Sequence, residues 1–129
     1  MALDKSGNLA AATSTGGISM KRFGRVGDAP IIGAGTYASP NCAVSATGAG
    51  EYFIRLTIAR DICARMQYQK LTVRQAADTV IHGLLGRTKG TGGVIVLDNR
   101  GNVAMPFNTT GMYRGMMSSD GTAVVLMVK

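Results

Sequence analysis

The 129-residue sequence predicts an α+β fold, a layered arrangement of sheets and helices. Three observations support this class. Hairpin patterns with the same turn, Asp-x-x-Gly-Asn, occur near both ends of the chain, at residues 4–8 and 98–102. Two helical patterns lie between them, at residues 51–86. The strands do not alternate one by one with helices, so the order is not that of a doubly wound parallel sheet.

The first half of the chain is predicted to form short strands joined by turns. Residues 9–13 are rich in alanine, which implies a strand packed closely against another layer. Residues 16–30 form a loop that is long for a compact domain, and long loops are often functional. The predicted strands cover residues 1–4, 9–13, 31–38 and 42–46.

Two amphipathic helices are predicted next. The first begins near Glu51, is continuous, and has Arg55 and Arg60 in contact with solvent. Its apolar positions are Phe53, Ile54, Ile58, Ile62 and Met66. Thr72 is predicted to cap the second helix, which ends at Gly86. The apolar positions of the second helix are Val73, Ala76, Ala77, Val80, Ile81 and Leu84.

The C-terminal part is predicted to return to strands. A glycine-rich connector at residues 90–93 resembles a phosphate loop, but no Gly-Lys-Ser/Thr follows it, so that motif is excluded. The loop at residues 118–121 precedes the last strand. The predicted strands cover residues 94–97, 103–107 and 122–128.

The composition indicates a globular chain with a basic surface. Hydrophobic residues make up 46% of the chain, which is normal for a packed core, and the net charge is +7. The basic residues are scattered and only 5% of residues are aromatic, so a nucleic-acid partner is not expected. A solvated surface, or one balanced by an acidic partner subunit, is favoured. No apolar run reaches the roughly 18 residues of a membrane helix, and no signal peptide is visible, so no membrane partner and a cytoplasmic location are expected.

Several residues carry weaker signals. Cys42 and Cys63 are far apart and form no CxxC pair, so free buried thiols are expected and no metal site is predicted. Asn108 begins an Asn-Thr-Thr sequence that fits a glycosylation acceptor, but a plain turn is favoured. The single histidine, His82, lies inside the second helical pattern and is expected to be structural, so a Ser-His-Asp triad is not indicated.

The segment at residues 46–51 joins a strand to the start of a helix. Backbone N–H groups at such a junction lack intrahelical partners and favour an anion. The Thr47 hydroxyl adds a donor, and the glycines allow close approach, which suits an oxyanion hole for acyl transfer. A tight strand-to-helix turn is the alternative interpretation. Phe53 stands at the third glycine position of a dinucleotide fingerprint and argues against that motif.

Arg25 and Asp28 stand three residues apart around Gly27 in the long loop. An arginine suits a carboxylate and an aspartate suits an ammonium, so together they match the two charged groups of an α-amino acid. A surface ion pair of little energetic value is the alternative. Thr13 and Thr15 point to one face of an extended segment, and the Thr15 hydroxyl has the alternative role of satisfying a turn.

The order of these motifs resembles the β-subunit of plant-type L-asparaginases, also called isoaspartyl peptidases, which are N-terminal nucleophile hydrolases. The resemblance implies a four-layer αββα sandwich, with residues 1–129 as a single β-subunit completed by a separate α-subunit cut from the same precursor. It also implies a dimer of αβ units, a heterotetramer, and no cofactor apart from a sodium site on the α-chain. The matching segments are residues 7–17, 24–30, 33–35, 37–38, 46–51, 92–93, 105–109 and 111–114.

The resemblance also implies roles for individual residues. Thr15 would tune the nucleophile, Arg25 would hold the substrate α-carboxylate, and Asp28 would hold the α-ammonium. Thr47 and Gly48 would form the oxyanion hole, and the carbonyl of Gly50 would also contact the ammonium. In the family the nucleophile is a threonine that opens the β-subunit and uses its own amine as base. The expected leading Thr-Val-Gly is not in the sequence, so the nucleophile is predicted just upstream of Met1.

The implied reaction is hydrolysis of β-aspartyl dipeptides and of L-asparagine to L-aspartate, with a small molecule as substrate. A glycosylasparaginase-type amidase is the nearest alternative. A catalytically inactive subunit or fragment, suggested by the missing leading threonine, is an alternative of another class. A basic nucleic-acid-binding domain is a third, suggested only by the net charge of +7.

Overall fold

The structure is a computed structural model that describes residues 1–128. Within these residues, four strands precede a central helical region and four strands follow it. The helical segments are α1 (Gly50–Arg55), α2 (Ile58–Tyr68), α3 (Val73–Asp78), a π-helical turn (Thr79–Leu84) and a 3₁₀ turn (Leu85–Arg87). The strands are β1 (Ala2–Leu3), β2 (Leu9–Ala10), β3 (Thr36–Ser39), β4 (Cys42–Gly48), β5 (Gly92–Asp98), β6 (Val103–Ala104), β7 (Gly111–Met117) and β8 (Ala123–Val128).

A four-stranded antiparallel sheet in the order β3-β4-β5-β6 forms the centre of the structure. Its longest ladder pairs β4 with β5, from Cys42 opposite Asp98 to Gly48 opposite Gly92. Alternate side chains of these two strands point to one face, where the helices cover them. The resulting core contains Val44, Ala46, Val94 and Val96 from the sheet and Ile58, Ile62, Ala76, Ala77, Val80 and Ile81 from the helices. The predicted mixture of helix and sheet is confirmed.

The opposite face of the sheet receives the β1–β2 hairpin and the segment that follows it. The hydroxyl of Thr13 lies 2.8 Å from that of Ser45 on β4, and it donates to the Gly35 carbonyl at 3.1 Å. Strand β2 is only two residues long. Leu9, Ala11 and Thr13 are half-buried against the sheet, whereas Ala10 and Ala12 are exposed, so the packing predicted for residues 9–13 is found on one face only. Because Thr13 is held beside β4, the long loop that follows begins near the C-terminal end of that strand.

The two Asp-x-x-Gly-Asn turns have the same hydrogen bonds. Asp4 Oδ1 accepts from the backbone N–H groups of Ser6 and Asn8, and its Oδ2 accepts from Asn8 Nδ2, each at 2.8 Å. Asp98 makes the equivalent bonds two and four residues further along its own turn, at 2.8 to 2.9 Å. The predicted turns are confirmed, because aspartate and asparagine hydrogen-bond locally and glycine supplies the positive φ of +84° at both turns.

The prediction of one continuous first helix is wrong. The helix is interrupted at Thr57, whose left-handed backbone, with φ of +46°, separates α1 from α2. The break changes the direction in which later residues face. Arg60 is therefore half-buried rather than solvent-facing, with its guanidinium 5.5 Å from the Tyr37 ring centre and 5.8 Å from that of Tyr68. Arg55 is exposed, as predicted.

For the second predicted helix, which begins as α3, the N-terminal cap at Thr72 is confirmed but the predicted end at Gly86 is not. Thr72 accepts from Gln75 N at 3.3 Å, and Gln75 Oε1 accepts from Thr72 N at 3.0 Å, which is a capping box. The helical backbone continues past Gly86 to Arg87. Wider π-helical turns precede this end and shift the buried face by one residue, so Leu85 is fully buried.

The two cysteines form a disulfide, so the expectation of free thiols is wrong. Cys42 opens β4 and Cys63 lies on the face of α2 that packs against this strand, with their Cα atoms 5.6 Å apart. Both residues are buried in the core. Their separation of 21 positions conceals this proximity in the sequence, because only the packing of α2 on the sheet brings the two side chains together.

The β7–β8 hairpin projects apolar side chains from both faces. Strand β7 was not among the sequence predictions, whereas β8 confirms the strand predicted at residues 122–128. Tyr113, Met117 and Val125 are each more than three-quarters exposed, at 83%, 76% and 84%. The hairpin contacts the rest of the described chain through β5 and the buried Met112. An exposed apolar surface of this extent is typical of an interaction site. Within residues 1–128, no helix has the length and apolar character that crossing a membrane requires.

Candidate active site

A cavity of about 800 Å³ lies between the long loop and the C-terminal end of β4. Its lining contains five of the six residues for which the sequence predicts a role, namely Thr15, Arg25, Asp28, Thr47 and Gly48. The sixth, Gly50, packs directly behind Asp28, because a Cβ added to Gly50 would lie 3.0 Å from Asp28 Oδ1. Thr15 and Gly48, which are 33 positions apart in the chain, therefore line the same cavity.

Asp28 is the only buried charged side chain among residues 1–128, with 7% of its surface exposed. Its backbone is held by N–H groups of Ile31 and Gly35, which donate to the Asp28 carbonyl at 2.9 Å and 3.1 Å. Its Oδ2 has no hydrogen-bond partner in the described part of the chain. Burial raises the pKa of the Asp28 carboxyl above its usual value, while backbone N–H groups and the charge of Arg25 oppose this effect. A buried carboxylate in this state is well suited to a cationic ligand.

Arg25 lies at the same cavity but does not pair with Asp28. Its Nη2 is 4.0 Å from Glu51 Oε2, a long and half-solvated contact. The guanidinium lies beside Gly27, where an added Cβ would be 2.9 Å from Arg25 Nη1. Within residues 1–128, Arg25 and Asp28 do not form the surface ion pair that was the alternative interpretation. Arg25 and Asp28 each retain hydrogen-bonding capacity for a ligand.

The end of β4 forms a corner at Thr47 and Gly48. The N–H of Ala46 donates to the Gly35 carbonyl at 2.9 Å, on the side of the long loop, and the N–H of Ala49 donates to Thr91 on β5's side at 2.8 Å. Successive N–H groups of a strand point in opposite directions. From this alternation we expect the Gly48 N–H on the same side as that of Ala46, the side of the cavity.

Glycine is required at this corner because two strands and an aromatic ring meet there. Gly48 and Gly92 stand opposite each other in the β4–β5 ladder, each with φ of +154°. A Cβ on Gly48 would strike the Thr91 carbonyl and would lie 2.6 Å from a ring carbon of Phe53, which is fully buried. A Cβ on Gly92 would strike the Thr47 carbonyl. The strand-to-helix turn is therefore tight, with no room for a side chain at Gly48 or Gly92.

Thr15 lies at the rim of the cavity, where its hydroxyl accepts the Gly17 N–H at 3.0 Å. This is the turn-satisfying role that the sequence offered as the alternative. Lys21 and Ser45 also line the cavity, and sequence reasoning gave neither of them a role. Ser45 had no recognisable signal, because a serine in a strand of small residues gains significance only from what faces it.

Residues 1–127 match the sequence profile of a family described as asparaginase. This chain belongs to that asparaginase family. The asparaginase-family chain is 58% identical over 118 residues to a putative isoaspartyl peptidase/L-asparaginase of Dictyostelium discoideum, covering 92% of the chain and 34% of that protein.

Two further relatives have related names. An isoaspartyl peptidase of Escherichia coli (strain K12) is 55% identical over 115 residues, covering 88% of the asparaginase-family chain and 36% of that protein. An isoaspartyl peptidase/L-asparaginase of Homo sapiens is 44% identical over 113 residues, covering 87% of the chain and 36% of that protein. The chain thus spans about a third of the length of these curated relatives.

Substitution of Gly92 by alanine in this asparaginase-family chain is expected to destabilise the protein by at least about 2 kcal/mol, because overpacking at a rigid contact forces backbone shifts. The added Cβ would also lie 2.8 Å from a ring carbon of Phe53. The measurement is the midpoint of urea unfolding. Gly83→Ala is the matched control, since the nearest atom to its added Cβ is 4.0 Å away and its φ is not positive. Equal midpoints for the two variants would contradict the proposed contact.

Proposed function

We propose that this chain is the catalytic β-subunit of an enzyme that hydrolyses β-aspartyl dipeptides and L-asparagine to L-aspartate. The observation that carries the proposal is the cavity in which Arg25, Asp28 and the Thr47–Gly48 corner meet. Membership of the asparaginase family and the printed names of its relatives support it.

Two opposite charges in the cavity match the invariant part of these substrates. Asp28 has a buried oxygen without a partner, which suits an α-ammonium, and the Gly50 carbonyl is proposed to contact the same group. Arg25 suits the α-carboxylate, because a guanidinium binds a carboxylate through two parallel hydrogen bonds. Both ends of an L-aspartyl group are then held, while the leaving group is not. Asparagine and β-aspartyl dipeptides share this aspartyl group and differ only in what leaves.

The nucleophile is proposed to be an N-terminal threonine that lies just before Met1 in the mature β-subunit. Its hydroxyl attacks the side-chain carbonyl carbon, and its own α-amine takes the hydroxyl proton. The resulting oxyanion is stabilised by the Thr47 hydroxyl and the Gly48 N–H, and Thr15 tunes the attacking group. Collapse breaks the C–N bond and releases ammonia or an amino acid that carries the transferred proton. Water then hydrolyses the ester to free L-aspartate and the threonine.

The partner is proposed to be an α-subunit cut from the same precursor, which completes a four-layer αββα sandwich. The exposed apolar side chains of the β7–β8 hairpin support a partner of this kind, because residues 1–128 leave most of them uncovered. A dimer of such αβ units, a heterotetramer, follows from the resemblance. The sodium site on the α-chain stays a prediction, because its residues would lie outside this chain. The cytoplasmic location also stays a prediction.

The test uses the full-length precursor, expressed and allowed to mature. L-Aspartate release is measured with a β-aspartyl dipeptide, L-asparagine and N-acetylglucosaminyl-asparagine, and mass spectrometry identifies the N-terminal residue of the β-subunit. We expect a β-subunit that begins with threonine and releases aspartate from the first two substrates. A preference for the sugar-linked substrate would favour the glycosylasparaginase alternative. A matured protein that releases no aspartate would favour the inactive subunit.

A further inference from the structure

Asn108 connects two glycines of the segment that leads into β5. Its side-chain Nδ2 donates to the Gly90 carbonyl at 3.0 Å, and its Oδ1 accepts the Gly92 N–H at 2.8 Å. Its backbone N–H donates to the Gly92 carbonyl at 3.0 Å. Three hydrogen bonds from one residue therefore hold the segment from Gly90 to Gly92. An amide is the side chain that offers both a donor and an acceptor at this spacing.

The segment held by Asn108 is the one on which the Thr47–Gly48 corner rests. Gly92 lies directly opposite Gly48 in the β4–β5 ladder. Between the two anchors, the Thr91 carbonyl accepts the Ala49 N–H at 2.8 Å. Displacement of Thr91 or Gly92 would therefore shift the Gly48–Ala49 peptide, and through Gly48 the adjoining peptide that carries the Gly48 N–H.

Packing does not restrain the corner from the direction of the C-terminal segment. A cavity of about 260 Å³ separates Thr47 and Gly48 from Thr109, Gly111 and Met112. Added side-chain volume is also excluded at the corner, since Gly48 and Gly92 tolerate no Cβ. The corner packs against Phe53 and the facing segment at residues 90–92. That segment is itself held by the three hydrogen bonds of Asn108.

We propose that Asn108 is a positioning residue for the oxyanion hole, acting through Thr91 and Gly92 on the Gly48 N–H. The inference rests on the proposed function, since it assigns a role at the same site. A positioning role predicts a loss of kcat with KM retained, whereas a purely structural role predicts a loss of stability. The substrate clamp at Arg25 and Asp28 lies on the long loop, away from Asn108, so binding is left intact while stabilisation of the transition state is lost.

The experiment compares Asn108→Ala with Asn108→Asp in the mature full-length enzyme. Asn108→Ala is expected to lower kcat about ten- to hundredfold with KM within about twofold, because small misplacement of a catalytic donor has effects of this size. Asn108→Asp keeps the acceptor for the Gly92 N–H, the anchor opposite Gly48, but loses the donor to the Gly90 carbonyl. It is therefore expected to recover part of the kcat lost in Asn108→Ala. A KM-selective loss in Asn108→Ala would overturn the proposal, and so would failure of Asn108→Asp to rescue.

Asn102→Ala is the matched control. Asn102 uses its side-chain amide to bind Asp98 at the other end of β5, so the control removes a similar bond remote from the corner. It is expected to lower the melting temperature and leave kcat unchanged. Equal kcat losses in the two alanine variants would overturn the proposal. If the unaltered enzyme releases no aspartate, the proposed function and this inference both fall, whereas a normal kcat in folded Asn108→Ala overturns only the inference.

Discussion

Replacement of Asp28 by asparagine is expected to reduce kcat/KM by about a hundredfold or more, because loss of one partner of a buried charge pair has effects of about 2–5 kcal/mol. The amide keeps the shape of the side chain but no longer attracts an ammonium. The steady-state rate of L-aspartate release from a β-aspartyl dipeptide measures the effect. The mature full-length enzyme is the appropriate material, since the chain alone is about a third of the length of its relatives.

The same substitution is expected to raise the stability of the protein at neutral pH. Burial raises the pKa of Asp28, so the folded state binds this proton more tightly than the unfolded chain does. The contribution of Asp28 to stability is therefore unfavourable above its folded-state pKa, and it disappears as the pH falls through that value toward the unfolded pKa. Neutral side chains do not titrate, so they do not contribute to this dependence of stability on pH. The difference in melting temperature between Asp28→Asn and the unaltered protein is expected to be largest near neutrality and to shrink in acid.

Asp120→Asn is the control for both measurements. Asp120 is exposed, and hydrogen bonds from Thr122 hold the pKa of its carboxyl below the usual range, which is the opposite of Asp28. This variant is expected to leave turnover unchanged and not to raise the melting temperature. Near-normal turnover in Asp28→Asn would contradict the assignment of Asp28 as the ligand of the α-ammonium. A lower melting temperature than that of the unaltered protein at neutral pH would contradict an unfavourable effect of the buried carboxylate on stability.

Replacement of Arg25 by alanine is expected to lower kcat/KM by about a hundredfold or more, because the substrate carboxylate loses a charge-assisted pair of hydrogen bonds. Part of the loss is expected in kcat, since binding energy at the α-carboxylate also positions the reacting carbonyl. Arg25→Lys keeps the charge but not the planar fork of the guanidinium. Its kcat/KM is expected to lie between the values for Arg25→Ala and the unaltered enzyme. Initial rates over a range of substrate concentrations separate the effects on kcat and KM.

Arg22→Ala is the matched control for this prediction, since Arg22 lies on the same loop, carries the same charge and is exposed. It is outside the lining of the cavity. The control is expected to retain nearly normal kinetics. Near-normal turnover in Arg25→Ala would show that the carboxylate clamp is assigned to the wrong residue, whereas equal losses in both variants would indicate a general effect of loop charge.

The local features of the fold were predictable because their causes are local. The two Asp-x-x-Gly-Asn turns and the Thr72 cap depend on side chains that hydrogen-bond backbone groups within four residues. The β4–β5 strands were recognisable from continuous small or apolar runs. The glycines and Thr47 at the end of β4 predicted either an anion site or a tight strand-to-helix turn. The tight turn is present, and the anion site stays a prediction.

Features that depend on distant packing were missed or misjudged. The break at Thr57 has no proline or glycine to announce it, and the apolar spacing continues across it. The Cys42–Cys63 bond depends on how α2 packs on the sheet. Strand β7 has glycines and an irregular register that conceal its alternation.

For the candidate site, the sequence by itself determined the chemical groups and their order: the Arg25 and Asp28 pair, the glycine-flanked Thr47, and the rim threonine. Only the tertiary structure decided that Asp28 is buried without a partner for Oδ2, that Arg25 pairs with Glu51 instead, and that Asn108 supports the corner. The physical reason is that residue type sets what a side chain can bind. Burial, direction and distance arise only when remote segments of the chain pack together.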